Sequence, residues 1–487
     1  MLRMTVLRLA VVSMLGVTTI APPATAAEEV ISLGSRRELF VDHFLIDRLD
    51  GAALALARPA DAGLVMKFDK PWESRFSAYV TVLKDGDRYR MYYRGVPESG
   101  PDGNEAEVTC TAESADGIHW TKPNVGLFEV HGTRENNVVL ADASPFTHNF
   151  CPMIDTRPGV PESQRYKAVA GHRDVGLWAF VSADGLQWRK LREEPILKDE
   201  KYLLDSQNLA FWSQSENCYV CYFRTWNDVR WVSRSTSEDF LNWTPGVVME
   251  ARHAGAAAPP EQLYTNQTGA YFRAPHIYIA TAARFMPDRQ VISEEEAKAI
   301  NVDPGYFKDV SDAVLLTSRG GNVYDRTFME GFLRPGIGPK NWVSRTNYPA
   351  LNVVQTGPDE MSLYVQNDYA QTTACLRRYT LRLDGFASVR TPFDGGEMLT
   401  KPLTFEGKRL SLNFATSAAG GIRVEIQDAQ GKPIPGYTLD DADEVIGNEI
   451  DRSVRWRGKE DVSPLAGQPI RLRFVMKDAD LYALKFE

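Results

Sequence analysis

Along most of the chain, short apolar and aromatic runs alternate with polar, turn-forming clusters. The clearest runs are Tyr89 to Gly95 (YRMYYRG), Tyr166 to Gly171 (YKAVAG), Tyr219 to Trp226 (YVCYFRTW), Ile277 to Phe285 (IYIATAARF) and Met361 to Asp368 (MSLYVQND). Each follows another such run, often across a hairpin turn such as Lys84-Asp85-Gly86-Asp87. Runs this short, rich in β-branched and aromatic residues and bounded by Gly, Asp and Asn, predict strands. One stretch differs. Ser293 and Glu296 form a capping box opening SEEEAKAI, which predicts a helix between the second and third strands of the fourth group. It reads equally as a surface ornament and as a lid or subsite wall.

After each of these runs comes a recurring turn. Ser114-Ala-Asp116-Gly117-Ile-His-Trp120 returns as Ser182-Ala-Asp184-Gly185-Leu-Gln-Trp188 and, degenerate, as Ser237-Glu-Asp239-Phe-Leu-Asn-Trp243. Ser318-Arg-Gly320-Gly321-Asn-Val-Tyr324 and Arg382-Leu-Asp384-Gly385-Phe386 are worn copies. Their third positions are spaced by 68, 55, 81 and 64 residues, a blade-sized period. Asp and Ser cap the amides of a tight turn, Gly supplies a positive φ, and the Trp packs between sheets. Such turns resemble the Asp-boxes of sialidase-type propellers and carry structure, not chemistry. Five copies predict an all-β fold, a five-bladed β-propeller over residues 27–395. Beyond Gly396 the strands shorten and the box disappears, which predicts a small C-terminal β-sandwich over 396–487, an accessory domain bracing the propeller.

Composition narrows the function. Residues 1–26 read as a signal peptide, with Arg3 and Arg8 before an apolar run and Ala24-Thr25-Ala26 as cleavage site. The expected product is exported, periplasmic or secreted, without a membrane anchor. The formal charge of -9 argues against nucleic acid as partner. Five scattered cysteines are no disulfide framework, and Cys218 and Cys221 read as strand thiols on opposite faces. The seven histidines show no metal-binding spacing. No cofactor is expected, although an axial structural ion such as calcium is compatible with the sequence.

Propeller geometry fixes which residues converge at the axial mouth: those opening each first strand and those ending each second strand. The first group contains Glu73, His148, Asn149, Asp205, Gln207, Glu261, Asn266 and Arg345, and the second contains Arg94, Arg224 and Arg284. Acetal hydrolysis needs a proton donor with a raised pKa and a second carboxylate. Glu73, Asp205 and Glu261 are the candidates.

The segments RRELFVDHFLID, HNFCPMID, LDSQNLAFW, EQLYTNQ with YFRAPHI, GFLRPG, and the tail SAAGGIRVEIQDAQGKPIPG with LRFVMKDADLYALKF together resemble a group of exported bacterial propeller proteins. That group is similar to glycoside hydrolase families 32 and 43. The resemblance implies a glycoside hydrolase acting on a carbohydrate, with Glu261 as general acid, Glu73 as base or nucleophile and Asp205 tuning the acid. It departs from the family 43 pattern in having Glu at the first position, and it lacks the family 32 motifs WMNDPNG, RDP and EC. Arg94, Arg224, Arg284 and Arg345, with His148, Asn149, Gln207 and Asn266, would bind an acidic or sulfated sugar. A glycan phosphorylase and a non-catalytic glycan-binding propeller are the alternatives.

Overall fold

The computed structural model describes residues 29–487, so the expected signal peptide lies outside the described residues. Five sheets, antiparallel but for one parallel pair in the fourth, carry the first part of the chain. The first blade runs Ala78–Asp85, Arg88–Gly95, Val108–Ser114 and Val138–Leu140, from the axis outward. The second begins at Cys151–Ile154 and the third at Leu209–Ser213. The fourth opens with Leu263–Thr265 and Thr268–Tyr271, and the fifth with Tyr348–Pro349 and Val354–Gln355. Neighbouring blades touch all the way round. The ring closes where the Val82 amide donates to the Leu351 carbonyl at 3.1 Å and the Leu351 amide to that of Val80 at 2.8 Å. Each blade is covered on both faces by its neighbours, so its middle strand is buried on both sides. Met91, Tyr92 and Tyr93 are all fully buried. That is why the sequence shows continuous apolar runs instead of strict alternation.

Three box turns form as expected. Ser114 Oγ accepts from the Gly117 amide, Asp116 Oδ1 accepts from the Ile118 and His119 amides, and Trp120 Nε1 donates to the Gly117 carbonyl. The same bonds recur at 182–188 and 237–243. In the third copy Phe240 takes the positive φ, 68°, that Gly117 and Gly185 adopt at 72°. These turns also join blades: Tyr364 donates to the Gly117 carbonyl and Tyr92 to that of Gly185. The worn copies are different structures. The fourth has no Asp, and Ser318 Oγ donates to the Gly320 carbonyl. In the fifth, Asp384 caps nothing of its own turn and instead binds Arg37, Arg273 and Tyr271.

The domain division differs from the sequence expectation in one respect. Strands Ile31–Gly34, Arg37–Leu39 and Ile46–Asp50 pair with the C-terminal strands, as does Ala387–Thr391, which in turn pairs with Ala53–Leu56. The fifth blade therefore lacks a chain-terminal outer strand of its own. Ala60–Lys67 fills that place, pairing with Cys375–Arg382. The second domain is one ten-stranded sheet folded over itself. Its long strand Leu410–Asp428 slips register between Thr416 and Gly421, where both halves turn a corner with their partner Ile470–Phe486. Gly420 is required there, since a Cβ would stand 2.4 Å from the Asp478 carbonyl oxygen. A core containing Phe40, Phe414, Trp456 and Phe474 fills the fold.

Candidate active site

At the axis, side chains of blades one to four meet a backbone carbonyl of blade five and fill the channel. Gln207 Nε2 donates to Thr81 Oγ1 at 2.8 Å and approaches Cys151 Sγ at 3.5 Å. Gln267 Nε2 donates to Gln207 Oε1 at 2.7 Å and to the Pro349 carbonyl at 3.1 Å. The channel is thus plugged, and what remains at the mouth is a shallow pocket open to solvent.

Two walls of different chemistry bound that pocket. Blade one contributes Tyr79, Arg94 and a loop bearing Glu98, Asp102 and Glu107. Blades four and five contribute Tyr264, Tyr306, Arg345, Tyr348, Gln366 and Tyr369. Arg94 lies over the Tyr79 ring, 4.9 Å from its centroid, and donates to the Phe76 carbonyl. Its Nη1 stands 3.0 Å from His148 Nδ1, which also faces Glu107 Oε2 at 3.0 Å. His148 Nε2 has no hydrogen-bond partner and lies 3.9 Å from Asp102 Oδ1. Burial pushes the Tyr79 and Tyr348 phenols well above the usual range, so both are hydrogen-bond donors at neutral pH. Tyr79 and Arg345 hold positive φ angles of 57° and 54°, backbone that non-glycine residues adopt at a cost.

Among the expected substrate contacts, Arg94 and Arg345 line the pocket, His148 stands behind Arg94, and Arg224 is buried against the Tyr264 ring. Asp205 pairs with Arg224 at 3.3 Å and its side chain is 36% exposed.

The other expected roles need correction. Glu73 does not face the axis. Its side chain is fully buried, accepting from Tyr93 at 2.6 Å and pairing with Lys122 at 2.5 Å. Glu261 is clamped by Arg326 at 2.8 Å and Arg284 at 2.9 Å. Burial alone would raise its pKa, but the two guanidiniums outweigh burial and hold it below the usual range, the wrong direction for a general acid. Arg284 is held in the same cluster, making a two-pronged pair with Asp312 and donating to the Met329 carbonyl. Asn149 is wholly buried and donates to the Gly171, Leu204 and Ser206 carbonyls, stitching blade two to blade three. Gln207 belongs to the axial plug, and Asn266 accepts from Thr268 inside its own turn. Register explains these departures: strand-opening residues point alternately toward and away from the axis, and the sequence does not say which comes first.

The tyrosines and the acidic loop were missed. Tyr264 stands three positions after Glu261 in EQLYTNQ, inside a segment already singled out. Tyr306 comes from the insertion that carries the expected helix. That helix, Glu294–Ala299, has the capping box, and its segment packs through Val302 and Phe307 against Val343. The insertion is a fixed wall of the pocket. Beside it, burial pushes the Asp309 carboxyl upward, and its Oδ1 has no hydrogen-bond partner.

Among the described residues, no group of three or more His, Cys, Asp or Glu side chains is arranged to hold a metal ion, and all five cysteines are free. No helix of the described residues is long and apolar enough to cross a membrane.

Fold and site together define a five-bladed propeller with a plugged axis and an aromatic, arginine-bearing pocket at one mouth. No protein-family model matches the sequence, and no curated protein matches it. Among solved structures, the chain is similar to a thermostable family-43 glycoside hydrolase, at 10% identity over 66% of this chain and 95% of that one, TM-score 0.42. It is also similar to an N-acetylgalactosamine deacetylase from F. plautii in complex with blood group B trisaccharide (13% identity, 68% and 96% covered, TM-score 0.42). A fructofuranosidase from Schwanniomyces occidentalis, complexed with fructosylnystose, extends the likeness over 89% of this chain and 99% of that one (10% identity, TM-score 0.37). These likenesses concern the fold.

Proposed function

We propose that this protein is an exported glycoside hydrolase whose substrate enters the axial pocket. One observation carries the reading: the pocket joins aromatic rings, on which a sugar stacks, to carboxylates at the mouth of a propeller. Hydrolysis requires an acid for the leaving oxygen and a carboxylate across the sugar. Asp102, with a side chain 53% exposed, is the accessible carboxylate of the blade-one loop. Asp309 immediately precedes the third strand of blade four, within electrostatic reach of Arg345 in the pocket, and its upward pKa suits the acid. Asp102 takes the role of base or nucleophile, and Asp309 that of proton donor.

The test uses an active substrate from a panel of polysaccharides, with a matched aryl glycoside. Asp309→Asn should lose about 10²–10⁴-fold in kcat/KM on the glycan and far less on the aryl glycoside, whose phenol leaves unaided. Asp102→Asn should be slow on both. If neither variant slows turnover, the carboxylate assignment fails. If binding persists without turnover in the unaltered protein, the domain is a glycan-binding propeller. Cleavage that depends on added phosphate would make it a phosphorylase.

A further inference from the structure

Arg345 differs from the other arginines around the mouth. Arg224 has Asp205, Arg284 has Glu261 and Asp312, and Arg326 has Glu261. Arg345 has no carboxylate within ion-pair distance, and its guanidinium makes no hydrogen bond within the described residues. It is held instead by rings, with Tyr306, Tyr264 and Tyr369 centroids at 5.0, 5.2 and 5.8 Å. Asp309 lies within its electrostatic reach without pairing. Aromatic faces fix the guanidinium while leaving its N–H donors unused.

Two further donors in the same pocket are also unused. Tyr348 is 6% exposed and Gln366 3% exposed, yet the Tyr348 hydroxyl and Gln366 Nε2 have no hydrogen-bond partner. Buried polar groups are ordinarily satisfied, and one that is not calls for an explanation. All three groups line one pocket. A guanidinium, a phenol kept protonated by burial and an amide N–H make a wall of donors with a net positive charge. Glu98, Asp102 and Glu107 on the opposite wall would repel an anion and so orient it.

We infer that this wall, made by Arg345, Tyr348 and Gln366, seats an anionic group carried by the sugar, either a uronate carboxylate or a sulfate ester. The inference rests on the pocket being the glycan site and adds the substrate class.

Calorimetric titration of the full chain tests it with matched pairs: uronate oligosaccharides against their carboxyl-reduced forms, and sulfated oligosaccharides against their desulfated forms. The charged member of one pair should bind more tightly, and which pair responds tells carboxylate from sulfate. Arg345→Gln should weaken that binding about 10- to 100-fold, the range for a charge-assisted hydrogen-bonded contact, and that of the neutral partner by far less. Tyr348→Phe should weaken it several-fold with an unchanged melting temperature, because the hydroxyl it removes bonds nothing in the protein. Neutral forms binding as well as charged ones, or Arg345→Gln leaving charged ligands unaffected, would overturn the inference and leave the glycan pocket standing. Binding of inorganic sulfate with no affinity for any oligosaccharide would overturn both.

Discussion

Replacing Glu261 by Gln separates two accounts of that residue. If it were the general acid, the change would be felt in catalysis. The structure makes it the shared counter-charge of Arg284 and Arg326, and the change should be felt in stability. Arg326 is the more exposed to loss, because its side chain is fully buried and Glu261 is its only carboxylate. Arg284 keeps Asp312 at 2.6 Å. A Gln amide would still accept at one atom but would turn N–H donors toward guanidinium donors at the other. Breaking a buried pair by removing one partner costs about 3–5 kcal/mol. Glu261 is 12% exposed and Arg284 21%, so the low end, about 3 kcal/mol, applies. Unfolding entropy of roughly 2.1 cal/mol/K per residue over a chain of this size converts that to a melting shift of about 3 °C. Scanning calorimetry and urea titration read the loss, and kcat/KM on folded variant should stay within about threefold of the original on glycan and aryl glycoside alike. An unchanged melting temperature, with a hundredfold loss confined to the glycan, would refute the clamp and restore the acid.

Two other outcomes follow from the packing. Trp120→Ala should cost about 2–3 kcal/mol, below the range for fully buried Trp, because Trp120 is only half-buried while meeting the Tyr364 ring edge-on at 5.7 Å; an unchanged urea midpoint would show that the box turn does not join blades. Burial alone would raise the Glu38 pKa, but hydrogen bonds from His276 and Arg319 hold it at about 2 against an ordinary 4.5. The stability this depressed carboxylate provides, on the order of 3 kcal/mol, is fully present above about pH 4.5 and drains away as pH falls toward 2. Glu38→Gln should flatten that acid limb in a pH series of urea titrations, and an identical limb would remove Glu38 as its source.

How far the sequence carried these conclusions depended on how local each signal was. The box turns were legible because Ser114, Asp116 and Gly117 bond one another, so the turn is written in seven consecutive residues. The helix was legible for the same reason, through Ser293 and Glu296. Partnership over long distances was not. Nothing in ADAGLVMK announces that it completes a blade ending three-quarters of the way along the chain. Site carboxylates failed at the level of side-chain direction: Glu73 and Glu261 stand near the mouth in sequence order, but Lys122, Arg284 and Arg326 turn them into structural ion pairs. The tyrosines escaped because a Tyr in a strand looks the same whether it fills a core or lines a pocket.

The borrowed outer strand also sets a timetable. A chain made from its N-terminus has Ala60–Lys67 in hand long before Cys375 exists to pair with Lys67, and Arg37–Leu39 waits still longer for the strand ending at Phe486. Early blades can condense as they emerge, but the last blade stays open until Arg382 has been made, and the second domain until the chain is complete. Until its own N-terminal strand docks, Cys375–Arg382 presents an unpaired edge that the matching strand of another copy fits equally well. At high concentration the predictable error is exchange of residues 60–67 between two chains, giving a dimer in which every blade is correctly built.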